Sequence, residues 1–243
     1  MATVRLEISY DGSGFRGWAA QPGLRTVQGE LETALATILR EPVQLSVAGR
    51  TDAGVHARAQ VASFQTGVEV PDDLARRLNG LGPPDIAVTA ASEAHEGFDA
   101  RRDARSRTYC YRVLARDAPD PLERGRALWW PHRVDRELLE ACAQATAGTH
   151  DFTAFTPSQT EHVRFERDVL RCEWRQQGEV LVLLIEADAF MRNMVRVLVG
   201  TMLEVAGGRR GLESYTELLA GAPRSQAGDT APAHGLYLAA VTY

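Results

Sequence analysis

Polar and apolar residues alternate strictly at the start of the chain, with Val4, Leu6, Ile8 and Tyr10 on one side and Arg5, Glu7 and Ser9 on the other. That period of two predicts a half-buried strand, and Asp11-Gly12 predicts the turn that ends it. The period then changes. Val27, Leu31, Ala34, Leu35, Ile38 and Leu39 recur at helical spacing, Thr26 can cap the helix and Pro42 stops it, so a helix is expected through about Arg40. Val43, Leu45 and Val47 alternate as a second strand that runs into Gly49-Arg50-Thr51-Asp52-Ala53-Gly54. Strands near 61–64 and 86–89, and a short helix from Asp72 to Asn79 closed by Gly80, complete the expected first half.

The second half repeats the plan. The pattern predicts a strand over 108–114, a helix from Asp135 to Gly148, and strands over 169–175 and 180–187. A long helix over 189–206 carries Met191, Met194, Val195, Leu198, Met202 and Leu203 as its buried stripe and stops at Gly207-Gly208. Residues 235–243 read as a last strand. Two halves of mixed content, each with strands of period two, predict an α+β protein with antiparallel sheets covered on one side by helices. The expected division is 1–104 and 105–243, its seam near Asp99 to Arg105, with a ligand site in a cleft between the halves.

Composition narrows this picture. The 243 residues are 44% hydrophobic, enough for one large domain or two compact ones, each with its own core and without staples. No apolar run reaches membrane-spanning length and the N-terminus lacks the apolar block of a signal peptide, so a soluble, cytoplasmic protein with no membrane partner is expected. Cys110, Cys142 and Cys172 are odd in number and not at metal-ligand spacing, which predicts reduced core thiols. The net charge of −5 argues against a generic polyanion binder. Its distribution argues otherwise: all 27 basic residues are Arg, and Arg101, Arg102, Arg105, Arg107, Arg112 and Arg116 face one nearby acid, Asp103. Such a stripe is either a solvated face or a track for phosphates, which the planar fork of Arg suits.

The stretch Ala48 to Ala57 holds the chemistry candidates. Ala48, Gly49, Ala53 and Gly54 let a backbone or a flat substrate approach, and Arg50 and Asp52 place opposite charges two positions apart. Taken alone, the same residues also describe a tight glycine turn with a surface ion pair. Several other chemistries find no support. A Walker loop needs Lys, which the chain lacks. His56 has no second His or Cys at ligand spacing, and no metal is expected. A Gly-x-Ser-x-Gly elbow is missing, and no second carboxylate lies near Asp52 for glycosidase-like division of labour.

The nine residues Gly-Arg-Thr-Asp-Ala-Gly-Val-His-Ala, 49–57, resemble the signature of the tRNA pseudouridine synthase A family. Further matching segments follow the family's order: Tyr10-Asp11-Gly12 with Phe15 and Gly17-Trp18, Thr26-Val27-Gln28-Gly29, Arg107 to Tyr111, Gly148 to Phe152, Phe190 to Arg196, and Ala231 to Leu236. Ala19 stands where the family usually has Gln, and Met191 where Leu is usual. The resemblance implies two similar α/β halves about a pseudo-twofold, a joined and mostly antiparallel sheet, and a site in the central cleft. It implies isomerisation of uridine to pseudouridine at positions 38, 39 and 40 of tRNA, without cofactor or metal, by a homodimer that grips tRNA. By the same resemblance Asp52 is the catalytic carboxylate, nucleophile or base, and Arg196 its basic partner. Tyr109 would stack on the target base, Arg50 would fill the space the flipped base leaves, and Leu236 would wall the pocket. Arg101, Arg102, Arg105 and Arg107 are the expected backbone contacts. The alternatives are a catalytically silent two-domain RNA-binding protein and, more distantly, a metal-independent hydrolase using Asp52.

Overall fold

The computed structural model describes residues 1–160 and 163–243. The chain divides into two compact units, Met1–Arg105 with Tyr237–Tyr243, and Ser106–Leu236.

The first unit begins with β1 (Ala2–Tyr10), whose Val4, Leu6, Ile8 and Tyr10 are buried as their alternation predicts. Helix α1 (Val27–Leu39) starts at Thr26, whose hydroxyl accepts from the Gly29 amide at 3.3 Å. It ends at Arg40 in the left-handed region. The strand expected over 43–47 shrinks to β2 (Ser46–Val47), because the Leu45 amide donates to the Glu32 carboxylate of α1 at 2.9 Å instead of to a ladder. The strand expected at 61–64 grows to β3 (His56–Thr66). His56, Gln60, Ser63 and Thr66 are polar yet buried in it, which hides the apolar period of a central strand. Helix α2 (Leu74–Leu81) runs through Gly80 and ends before Gly82, and β4 (Ile86–Ala94) is longer than its apolar start suggests. Strands β3 and β4 both pair antiparallel with β1.

The second unit contains β5 (Ser106–Leu114), β6 (Leu128–Trp129) and α3 (Arg136–Thr146), the last capped by Asp135 through the Leu138 amide at 3.2 Å. Gly148, at φ +103°, does not merely end that helix; it opens a strand the pattern did not announce, β7 (Gly148–Asp151). Then come β8 (Glu166–Gln177), β9 (Val180–Ala187), α4 (Met194–Ala206) and the short α5 (Leu212–Leu218). Strand β9 lies antiparallel between β5 and β8, and β7 follows β8. Helix α4 is buried nearly all round, so it is the centre of this unit's core. It begins five residues later than expected, since the apolar period continues through Ala189, Phe190 and Met191 while the backbone does not turn helical until after Asn193.

The chain closes with β10 (Leu236–Thr242), which pairs in parallel with β3, Tyr237 opposite His56 and Leu238 opposite Ala57. A single sequence cannot show that pairing, so the last seven residues, read as part of a second half, belong with the first unit. The class is the expected one: mixed α and β, with largely antiparallel strands.

Candidate active site

Asp52 lies in the loop that joins β2 to β3, half-buried, with Ala53 and Gly54 forming the turn and the Val55 amide closing onto the Asp52 carbonyl at 3.1 Å. Neutral hydrogen bonds hold the loop on every side. The Ala48 amide donates to Val61 O (2.9 Å), Gln60 Nε2 donates to Gly49 O (2.7 Å), and the Trp18 amide donates to Thr51 O (3.0 Å). The Thr51 hydroxyl shares a 2.7 Å hydrogen bond with the Tyr10 phenol. Burial pushes that phenol up to about 12, so it stays neutral and able to bond.

Two glycines let the segment after β1 lie against this loop. A Cβ on Gly12 would fall 2.0 Å from Val55 O, and one on Gly17, at φ +94°, would fall 2.9 Å from Thr51 O. The approach is therefore backbone to backbone, and only glycine permits it. His56 completes the clamp. Its Nδ1 lies 3.0 Å from the Gly12 amide and 3.1 Å from Asp11 Oδ1. An amide can only donate, so Nδ1 is the acceptor there, while Asp11 Oδ1 accepts from the Ser13 amide at 3.0 Å. The imidazole stacks on Tyr237, ring centroids 4.6 Å apart. Arg50, beside Asp52 in sequence, is exposed.

The other expected site residues belong to the second unit or its edge. Tyr109 of β5 is buried, edge-on to Phe190 at 5.0 Å. Arg196, in the first turn of α4, is half-buried and donates from Nε to Ala231 O (2.7 Å) and from Nη1 to Asn193 Oδ1 (3.1 Å). Leu236 is buried at the start of β10. The turn before it is fixed by Tyr111, whose hydroxyl donates to Pro232 O at 2.7 Å and whose ring would meet a Cβ on Gly235 at 2.7 Å. Burial raises the Tyr111 phenol above its ordinary range, with the Arg196 charge pulling the other way.

The arginine stripe separates into two kinds. Arg101, Arg102 and Arg105 are exposed, and the backbone under the first two is held by Asp99 Oδ1, 2.9 Å from both amides. Arg107 donates to Asp188 O at 2.9 Å. Arg112 is instead paired with Glu123 through Nη2, at 2.6 and 2.7 Å to the two carboxylate oxygens, and Arg116 with Glu179. The last two are ties within the second unit, which sequence spacing alone cannot tell from phosphate contacts.

Comparison with known proteins now decides the family. A family model described as tRNA pseudouridine synthase matches residues 8–101 and 142–243, spanning the Asp52 loop and the segment bearing Arg196. The chain belongs to the tRNA pseudouridine synthase family. It is similar to tRNA pseudouridine synthase A of Frankia casuarinae, 45% identical over 253 residues that span 100% of this chain and 90% of that protein. The proteins of the same name from Bacillus pumilus and Bacillus subtilis are 40% and 39% identical, each over 99% of this chain and 98% of theirs. Membership makes this synthase an isomerase that turns uridine into pseudouridine in tRNA. Among the described residues no helix is long and apolar enough to cross a membrane.

Tyr10, Gln60, Trp18 and His56 were not singled out from the sequence as site residues, although they hold the loop that carries Asp52. Tyr10, Trp18 and His56 carry a signal only as members of the matching segments and Gln60 carries none, because the partner of each lies far along the chain or in another element.

Proposed function

We propose that this synthase acts on uridines 38, 39 and 40 of the tRNA anticodon stem-loop with Asp52 as its catalytic carboxylate. The reaction breaks the bond from ribose C1′ to N1 and forms the bond from C1′ to C5; the C5 proton leaves to solvent and N1 gains one. No net oxidation occurs, so the chemistry requires only a positioned carboxylate and an excluded, correctly turned base. Asp52 serves as nucleophile or base. Arg196 is its basic partner, Tyr109 stacks on the target base, Leu236 walls the pocket, and Arg50 takes the place of the flipped base. Arg101, Arg102, Arg105 and Arg107 meet the RNA backbone. The enzyme works in the cytoplasm as a homodimer, and it needs no cofactor.

The observation that carries this reading is the clamped loop. A surface turn has no need of two glycines in backbone contact, a buried histidine and a buried tyrosine beneath it, whereas a catalytic carboxylate has to be held to a fraction of an ångström. The test is incubation with unmodified tRNA and chemical mapping of pseudouridine. Wild type is expected to modify the three positions and Asp52→Asn none; modification elsewhere, or product from Asp52→Asn above about one per cent of wild type, would contradict the assignment.

A further inference from the structure

Asn193 breaks two local rules at once. It is the N-cap of α4, a position whose residue ordinarily has extended backbone and caps a free amide of the first turn through its side chain. Here its backbone is left-handed, φ +62° and ψ −2°, and its side chain makes no capping bond. Asn tolerates that conformation better than most residues, yet the conformation is still uncommon outside glycine. The side-chain oxygen faces Arg196 instead, accepting from Nη1 at 3.1 Å, while the Asn193 carbonyl accepts the Val197 amide at 3.0 Å and so starts the helix.

The other anchor of Arg196 is equally specific. Nε donates to Ala231 O at 2.7 Å, and the Ala231 amide returns a bond to Arg196 O at 3.1 Å. That segment is fastened to the same face of α4 further along. The Gly228 amide donates to the Thr201 hydroxyl at 3.0 Å, and a Cβ on Gly200 would lie 1.9 Å from Asp229 O. Ala231 O is thus a fixed point, and Asn193 Oδ1 is the second. Two fixed acceptors on different nitrogens of a planar guanidinium define its orientation. Both acceptors are neutral, so they aim the cation without cancelling its charge.

We infer that Asn193 is a positioning residue for catalysis, using its left-handed backbone to bring Oδ1 onto Arg196 and hold the guanidinium in the orientation that turnover requires. The inference rests on the reading of Arg196 as the carboxylate's basic partner. A capping or packing role alone predicts different consequences, because glycine can keep the left-handed backbone while deleting the side chain.

The experiment compares Asn193→Gly, Asn193→Ala and Arg196→Met in the full chain, measuring kcat and KM with unmodified tRNA and the melting temperature. Asn193→Gly is expected to lose about tenfold in kcat, with KM within about threefold and melting unchanged, the pattern of a lost transition-state interaction. Asn193→Ala should lose the same kcat and also melt lower, because a Cβ is strained at that φ. Arg196→Met should lose turnover more deeply. If Arg196→Met turns over like wild type, the reading of Arg196 fails and the inference with it. If Arg196→Met is inactive but Asn193→Gly keeps wild-type kcat, only the role of Asn193 is overturned. A kcat loss in Asn193→Gly that comes with a matching rise in KM or a lower melting temperature would overturn it as well, in favour of a structural cap.

Discussion

The Asp52 loop and the arginine stretch from 101 to 107 carry most of the residues proposed to act on tRNA, and they are built in opposite ways. The loop's carboxylate is half-buried, and the backbone around it is tied by neutral groups: a carbonyl to Gln60, a carbonyl to the Trp18 amide, a hydroxyl to Tyr10. In the stretch, Arg101, Arg102 and Arg105 are exposed, while the backbone beneath them is pinned, the first two amides by Asp99 Oδ1 and the Arg105 amide by Thr242 O at 2.8 Å. The contrast follows from what each task tolerates. A reacting group loses rate when it moves by an ångström, whereas a phosphate contact works over a range of distances and is shared among several long side chains. The ties from Gln60, Trp18 and Tyr10 fix the loop's backbone and hydroxyl without placing a charge of their own on it.

The largest break in this comparison should come from Gly12→Ala. Its Cβ would lie 2.0 Å from Val55 O, so backbone must move beneath the loop. A displacement of that size is expected to lower kcat by about a hundredfold while the protein still folds at some loss of stability. Wild-type kcat in a folded Gly12→Ala variant would show that the loop's placement does not matter.

Next in size is Arg112→Met, which separates the structural arginines from the exposed ones. Arg112 and Glu123 are half-buried partners at 2.6 Å, with side-chain exposures of 15% and 24%. Removing one leaves the other partly desolvated, at a cost of roughly 1–3 kcal/mol, below the value for a fully buried pair. The salt dependence of tRNA binding should not change, and a flatter dependence would return Arg112 to the phosphate track.

Tyr10→Phe should give a smaller effect with a distinct pH signature. The phenol is raised to about 12 in the fold from its ordinary 10, so the folded state favours the neutral form. That contribution is fully present below pH 10 and is lost as pH rises toward 12. The stability of Tyr10→Phe should therefore decline less steeply than that of wild type across that window, and it should be somewhat lower at neutral pH because the Thr51 hydroxyl loses its partner. Parallel curves for the two proteins would mean that the buried phenol is not neutral in the way the geometry requires.

Much of the fold was readable because local rules and tertiary structure agree. The alternation of Val4, Leu6, Ile8 and Tyr10 marks a buried face, and Thr26 and Asp135 cap the helices they precede. Reading failed where a residue's environment comes from elsewhere in the chain. The buried polar residues of β3 hide its length, the Glu32 carboxylate ends the ladder at Leu45, and the left-handed turn at Asn193 delays α4. The site divides the same way. Asp52 stands out through its flanking glycines and its motif, whereas His56 and Asn193 show their use only when Gly12 and Arg196 are seen beside them.

The central claim is that chemistry and backbone binding are carried by separate parts of the molecule, and the most direct test is the salt dependence of tRNA affinity. It should be measured for wild type, Asp52→Asn and the double variant Arg101→Gln with Arg102→Gln. Asp52→Asn is expected to lose activity yet to bind within a few fold of wild type, with the same slope of log affinity against log salt. The double arginine variant is expected to bind more weakly, with the slope reduced by roughly 0.7 to 0.9 for each phosphate contact removed. A flattened slope in Asp52→Asn, or an unchanged slope in the arginine variant, would contradict the account.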